Sequence, residues 1–207
     1  MLERFDYITR PRADGAPLDV RVRALLEANG CPKTCAHVFA VADAARVLAR
    51  RFGLDAKTAG DAALLHDISA VIRPADMLAL MEAQGAYIDP AERAHPFLLH
   101  QRVSRLVAEE DFGIEDARVL SAIEVHTTLK QAYSPYDLAV YLADKLAWDQ
   151  PGEPPYREAV EAALQNSLER AALAHIDYAL AHGMILQPHR WLIEAREALA
   201  RRESGAP

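Results

Sequence analysis

The chain has 207 residues, 51% of them hydrophobic, which is enough to bury one sizeable core with a modest appendage. Its formal net charge is −7 and its basic residues are scattered, which argues against a broad nucleic-acid-binding surface. No apolar run approaches the roughly 20 residues of a membrane span, and the N-terminal residues lack a signal peptide's apolar stretch, so we expect a cytoplasmic protein without a membrane partner.

Nearly every segment has the apolar spacing of a helix, and strand-like alternation is missing, which predicts an all-α fold. The first helix is predicted over Leu18 to Asn29, where Gly30 ends it. Cys31 and Cys35 follow, and they are the only cysteines. Without a second pair they support neither a disulfide framework nor a zinc ribbon, so we expect both thiols to be reduced.

Further helices are predicted along the chain, each bounded by a capping residue, a glycine or a proline. They run from the N-cap Thr34 to Gly53, from the N-cap Asp55 to about Ser69, from Pro74 to Gly85, over 96–112, over 115–127, and from Ser134 and Pro135 onward. Asp89 and Pro90 are expected in a loop.

The segment "QPGEPP", residues 150–155, has the composition of a linker. Beyond it we predict a long amphipathic helix to about His182 and a last helix from about Pro188. We therefore divide the chain into an N-terminal extension (1–33), a core (34–150) and C-terminal helices packed on the core (151–207). The apolar "MLALM" segment and the helix of Trp191 fit either a homodimer or packing within one chain.

Six histidines and aspartates fall on or at the ends of predicted core helices, although adjacent buried polar groups are costly unless something satisfies them. A single histidine there is most simply a core residue bonded to a carbonyl group. The set as a whole favours a metal site, because imidazole and carboxylate groups from several helices form metal centres inside helical bundles. The six residues are His37, His66, Asp67, His100, His126 and Asp144.

These residues stand in short motifs, "LLHD" (64–67), "LLH" (98–100), "HTT" (126–128) and "YLAD" (141–144). With His37, the motifs resemble those of the HD-domain metal-dependent phosphohydrolases, over about residues 34–199. Their spacing most resembles the YqeK-like bacterial branch, the symmetrical diadenosine-tetraphosphate hydrolases. The resemblance implies an HD-domain helical bundle with additional C-terminal helices, and residues 34–150 would then be its metal-binding core.

The resemblance also implies the chemistry of the site. One metal ion would be held by His37, His66, Asp67 and Asp144, and a second by His100 and His126, with Asp67 bridging the two and orienting a hydroxide nucleophile. Iron is typical of the branch, and manganese, zinc, nickel and magnesium are alternatives. The substrate would be a small phosphorylated nucleotide, and a symmetrical dinucleotide would yield two ADP molecules.

The surroundings of these motifs depart from the branch. Ser69 and Ala70 stand where a small residue and a lysine usually follow the His-Asp pair, and "HQRVSR", "HTTL" and "KLAWDQ" replace its usual sequences. The nearby basic residues Arg102, Arg105, Lys130 and Lys145 could supply replacement phosphate contacts, although each taken singly is more simply a solvated helix residue. Tyr133 and Trp148 could stack on a base, although core packing or an interface is the favoured role of each.

These departures leave alternatives open. One is a catalytically weak or inactive regulatory module that binds metal and nucleotide. Another is a helical protein without a ligand, in which the six polar residues would each need a separate partner. The other four histidines are expected to have lesser roles. His95 is expected in a loop before Pro96, with a role as extra ligand or proton shuttle as the less favoured alternative, and His175, His182 and His189 are expected to be structural or exposed.

Overall fold

The computed structural model describes residues 1–12 and 15–204, and all regular structure in this part of the chain is helical, which confirms the all-α prediction. Eleven α-helices are found there: α1 (Leu18–Ala28), α2 (Pro32–Arg51), α3 (Ala56–Leu65), α4 (Pro74–Ala83), α5 (Pro90–Ala94), α6 (His100–Glu110), α7 (Ala117–Val125), α8 (Pro135–Leu146), α9 (Arg157–Ala163), α10 (Leu168–Ala181) and α11 (Arg190–Glu203). Short 3-10 helices cover Leu2–Arg4, Ile68–Val71 and Pro96–Leu99.

Helices α2, α3, α7 and α8 form the centre of the bundle. The predicted apolar face of α2, with Val38, Val41, Ala45 and Leu48, is buried. Small residues on α3 let it lie close to α2, and a methyl group added at Gly60 would come within 2.5 Å of the Arg46 side chain. None of the described helices is long and apolar enough to cross a bilayer.

Capping residues explain where several helices begin. The Asp55 side chain accepts a 2.7 Å hydrogen bond from the Thr58 amide, and Ser134 forms a capping box with Asp137. The prediction of Thr34 as an N-cap is wrong, because α2 begins at Pro32, whose fixed φ suits the first turn of a helix. Thr34 therefore lies inside α2.

Other predicted boundaries also change. The third helix ends at Leu65 rather than near Ser69, so the His-Asp pair follows α3 instead of lying within it. Residues 96–112 form a 3-10 helix followed by α6, and the long C-terminal helix is two helices separated at Ser167, which caps α10. The expected loop at Asp89 and Pro90 is a short helix, because Asp89 caps α5.

The remaining segments pack against this bundle. Within α4 the apolar residues Met77, Leu80 and Met81 are buried, so the "MLALM" segment packs inside the chain. Helix α10 lies on α8, where the buried Tyr141 hydroxyl is 2.6 Å from His175 Nδ1. Both cysteine thiols are free.

Candidate metal centre

Helix ends place three imidazole rings at one point of the bundle. His66 follows α3 directly, His126 follows α7 directly, and His100 is the first residue of α6. His37 lies within α2, and Asp144 lies in the last turn of α8. These elements pack on one another, so the six predicted residues converge although they are far apart in the sequence.

Asp67 lies between two groups of histidines. Its Oδ2 atom is 3.5 Å from His66 Nε2, and its Oδ1 atom is 3.4 Å from His100 Nε2 and 3.5 Å from His126 Nε2. Two sets of possible ligand atoms share this carboxylate, one from His37, His66 and Asp67 and the other from Asp67, His100 and His126, and within each set all atoms lie within 4.8 Å of one another.

Asp144 completes the first group. Its Oδ1 atom is 3.0 Å from His37 Nε2 and 3.6 Å from His66 Nε2. Its other oxygen accepts a 2.5 Å hydrogen bond from Lys145 Nζ. The carboxylate therefore joins the two histidines to a lysine at the edge of the centre.

Backbone carbonyl groups fix the tautomers of three rings. The Nδ1 atoms of His66, His100 and His126 lie 2.6, 2.7 and 2.8 Å from the carbonyl oxygens of Ala63, Phe97 and Ile123. A carbonyl oxygen can only accept, so each Nδ1 carries a proton, and in the neutral ring each Nε2 then presents a lone pair to the centre. Metal-binding histidines are oriented in the same way.

The unsatisfied atoms of the centre fit a bound cation. His66 Nε2 is buried without a hydrogen-bond partner in the described structure. The Nε2 atoms of His100 and His126 are 2.9 Å apart, although both present lone pairs. A cation coordinated by these atoms would satisfy them, and the mixture of imidazole and carboxylate ligands is typical of divalent transition metals.

The electrostatics of the centre also favour positive charge. Burial raises the pKa of Asp67, but His66, His126 and His100 outweigh it and hold this pKa well below its usual range. Burial likewise raises the pKa of Asp144, and Lys145, His37 and His66 outweigh it. Both carboxylates are therefore ionised.

The pKa values of His66 and His126 shift in opposite directions. Burial lowers the pKa of His66, but Asp67 and Asp144 outweigh it and raise this pKa to about 9. Burial is the main cause that lowers the pKa of His126 to about 4. In the protein without metal, a proton on His66 would therefore supply the positive charge that the two carboxylates favour.

An open cleft of about 290 Å³ leads to the centre from the side of His37, and we call it the polar cleft. It is lined by Lys33, Thr34, His37, Asp67, Asp144, Lys145, Ala147, Trp148, Asp149 and Tyr156. Four of these residues were not predicted from the sequence as cleft residues, namely Lys33, Thr34, Asp149 and Tyr156. The spacing contains a signal for Lys33, which precedes His37 by four residues and so shares its face of α2.

The four basic residues expected near phosphate have different positions. Lys145 lines the polar cleft. The other three form ion pairs with nearby glutamates, Arg102 with the buried Glu92 at 2.9 Å, Arg105 with Glu109 at 3.0 Å and Lys130 with Glu124 at 3.4 Å. The structure thus brings one of the four to the cleft. Trp148, for which base stacking was the alternative to core packing or an interface, also lines it.

Comparisons with known proteins add independent information. The HD domain family model matches residues 34–149. A chain named "Uncharacterized protein in pepC 5'region" from Lactococcus lactis subsp. cremoris is 40% identical over 138 residues, 67% of this chain and 70% of its own length. The symmetrical bis(5'-nucleosyl)-tetraphosphatase of Bacillus subtilis is 29% identical over 134 residues, 64% of this chain and 72% of its own length.

A solved structure is similar over most of the chain. It is the crystal structure of a predicted HD superfamily hydrolase involved in NAD metabolism from Clostridium acetobutylicum. The TM-score is 0.78 at 27% sequence identity, and the match covers 88% of this chain and 97% of the other.

Proposed function

Because this chain belongs to the HD domain family and is a phosphohydrolase, we propose that its substrate is a symmetrical dinucleoside tetraphosphate, which it cleaves into two nucleoside diphosphates. The observation that carries the proposal is the pair of ligand sets that share Asp67 next to a cleft with two lysines. The name of the Bacillus subtilis relative supports this choice of substrate.

We propose that His37, His66, Asp67 and Asp144 hold one divalent cation and that Asp67, His100 and His126 hold a second. Two such ions, when bound, lower the pKa of water and neutralise charge on phosphate oxygens during an in-line displacement. The histidine-rich ligands favour a transition metal over magnesium, which prefers oxygen ligands. We propose iron, with manganese, zinc and nickel as further candidates.

The other residues of the polar cleft bind and orient the substrate. Lys33 of α2 and Lys145 of α8 both line the cleft, and their ammonium groups would donate to the oxygens of the phosphate chain. Lys145 is held in place by its hydrogen bond to Asp144 Oδ2. Its ammonium group would therefore contact both a proposed metal ligand and the substrate. These lysines would supply the positive charge that a lysine provides in the branch at the position of Ala70.

The proposed reaction is a hydrolysis. Water adds to one of the two central phosphorus atoms, and the bond from that atom to the oxygen bridging the two halves breaks. The departing half takes a proton, and each half then carries two phosphates. With diadenosine tetraphosphate, both products are ADP.

The test combines metal analysis with a substrate panel. Protein purified without chelator is analysed for metal content, and then assayed with dinucleoside polyphosphates, nucleoside di- and triphosphates and cyclic dinucleotides. We expect at least one transition metal per chain and ADP as the single product from diadenosine tetraphosphate. Sub-stoichiometric metal and no turnover of any compound would overturn the proposal. Bound metal and bound nucleotide without product would instead favour the regulatory module.

A further inference from the structure

A second cavity, of about 310 Å³, lies next to the metal centre, and we call it the apolar pocket. It shares Lys145 and Tyr156 with the polar cleft, so the two cavities adjoin. Its remaining lining residues come from three parts of the chain. These are α10, α11 and the segment between them, residues 95–98 before α6, and the bundle helix α8 together with the residues that follow α7. They include Met184, Leu186, Phe97, Thr127, Tyr141 and His175.

The apolar pocket and the polar cleft reach the metal centre through different residues. Thr127 lines the pocket, and its Oγ1 atom is 3.1 Å from His100 Nε2. The polar cleft instead contacts the centre through His37 and Asp144. A molecule that crosses the centre would therefore enter the polar cleft at one end and the apolar pocket at the other.

Exposed apolar side chains surround this pocket. Phe97, Met184 and Leu186 are 49%, 41% and 77% exposed, and they make up three of the seven exposed large hydrophobic residues in the described part of the chain. All three line the same cavity. Apolar side chains concentrated around a concave site are typical of ligand pockets, because a bound apolar group removes them from water.

One polar group in the pocket has a defined hydrogen-bonding role. The Tyr141 hydroxyl is fully buried and His175 Nδ1 is its only hydrogen-bond partner among the described residues, so the hydroxyl donates to this nitrogen. Burial lowers the pKa of His175 to about 3, which keeps the ring neutral with its proton on Nε2. This Nε2–H group makes no hydrogen bond to any residue described here, and its ring lines the pocket.

We propose that the apolar pocket binds the nucleoside at one end of the substrate, and that His175 is a specificity-determining residue whose Nε2–H donates to an acceptor on the base or ribose. The base packs against Phe97, Met184 and Leu186. This inference rests on the proposed function, since a tetraphosphate chain that crosses the metal centre carries a nucleoside at each end. The wall formed by α10 and α11 lies outside residues 34–149, so it is an addition to the family core.

The main test replaces exposed residues of the pocket, so that folding is preserved. We compare Leu186→Asp and Met184→Asp with the matched control Val47→Asp, whose side chain is 56% exposed on α2. The metal content of all variants is measured, followed by KM for diadenosine tetraphosphate and the Kd of ADP by calorimetry. We expect about a tenfold rise in KM and a weaker affinity for ADP in both pocket variants, and neither change in Val47→Asp.

The outcomes separate this inference from the proposed function. If KM and Kd are unchanged in both pocket variants while the protein hydrolyses the dinucleotide, the pocket proposal is overturned and the function stands. If the protein lacks hydrolase activity but the pocket variants weaken ADP binding, the function fails and the pocket stands. Unchanged nucleotide affinity together with a change from dimer to monomer would assign these side chains to a second copy of the chain, and this too overturns the proposal.

A second set of variants tests the role of His175. His175→Phe keeps an aromatic ring but loses the donor, whereas His175→Gln keeps an N–H group. After thermal melting confirms that both are folded, we expect kcat/KM to fall about tenfold in His175→Phe, with partial recovery in His175→Gln. Equal loss in both variants, or no loss in a folded His175→Phe, would remove His175 from the proposal.

Discussion

Asp67 faces different histidines with its two oxygen atoms, so its removal affects both ligand sets. We expect Asp67→Ala to lower the metal content of both sites and to reduce turnover by at least about 100-fold. Asp43→Ala, at a position 82% exposed on α2, is a matched control and should leave metal and turnover unchanged. Elemental analysis beside a kinetic assay measures both effects. Equal metal content in Asp67→Ala and the unmodified protein would contradict the shared role.

His126 belongs to one ligand set alone. We therefore expect His126→Ala to empty mainly the second site, so that a fully loaded protein loses about half of its metal. Titration of metal-free protein with a divalent ion, followed by calorimetry, would count the remaining sites. Two sites of unchanged affinity in this variant would show that His126 is not a ligand.

Lys33 is exposed and lines the polar cleft without lying in any recognised motif. Loss of a charge-assisted hydrogen bond to phosphate should reduce kcat/KM by about tenfold in Lys33→Ala. Lys57→Ala removes a lysine that is 81% exposed at the start of α3 and serves as the control. Steady-state kinetics with diadenosine tetraphosphate compares them, and identical values for the two variants would exclude Lys33 from substrate binding.

The convergence of the six residues could be predicted from sequence because their types and order carry the signal, and their role as metal ligands stays a prediction. The partners of the basic residues could not, since the ion pair of Arg102 with Glu92 depends on how α5 and α6 meet. The same limit applies to His175. Its neighbours Tyr141 and Tyr156 lie 34 and 19 positions away in the sequence, so no local pattern marks its position at the pocket.

At the scale of elements, the positions of the helix ends determine where three of the site's histidines lie. The sequence predicts the core helices, but it does not show that α3 stops at Leu65 without a glycine or proline. That stop matters, because it lets His66 bond its own helix through Nδ1 while Asp67 turns toward two other histidines. Strong capping residues such as Asp55 and Ser134 were correctly predicted because their contacts are local.

Glu92 joins three elements and gives a prediction about pH. The buried carboxylate of α5 pairs with Arg102 of α6 and lies 3.5 Å from His189, which caps α11. Burial raises the pKa of Glu92, but His189, the Asp89 amide and Arg102 outweigh it, so the pKa is below its ordinary value of 4.5. Its ionised form therefore stabilises the fold above about pH 4.5, and this contribution is lost as the pH falls through the folded-state pKa.

We expect Glu92→Gln to lower the free energy of unfolding at pH 7 by about 1–3 kcal/mol, because it leaves Arg102 without its carboxylate partner. The difference between Glu92→Gln and the unmodified protein should shrink as the pH falls below about 4.5. Urea unfolding at several pH values measures it. A difference that stays constant or grows on acidification would contradict this account.

At the scale of the whole molecule, metal binding should be coupled to folding. The centre collects side chains from α2, α6 and α8 and from the ends of α3 and α7, so the two proposed cations would together connect five helices. We expect chelator to lower the Tm by several degrees and added metal to restore it. Asp67→Ala should not respond to chelator. Differential scanning calorimetry tests this, and an equal response in the two proteins would contradict the coupling.

The fold class could be predicted from the sequence, but the packing of the C-terminal helices on the core could not. Helical periodicity and the motifs predicted an all-α bundle with additional C-terminal helices. The way in which α10 and α11 form a wall of the apolar pocket depends on long-range packing around Tyr141 and Tyr156. No periodicity in the sequence encodes that contact.

The carbonyl bonds to the three Nδ1 atoms also bear on which ions the protein tolerates. These imidazole rings cannot swivel without breaking a contact to their own helix or to the turn before it, so their positions are set by the scaffold. Differences in ionic radius would then be absorbed by the side-chain torsions of the aspartates and of His37, whose Nδ1 makes no such bond in the described structure. Exchange of one transition ion for another would move carboxylates and leave these three rings in place.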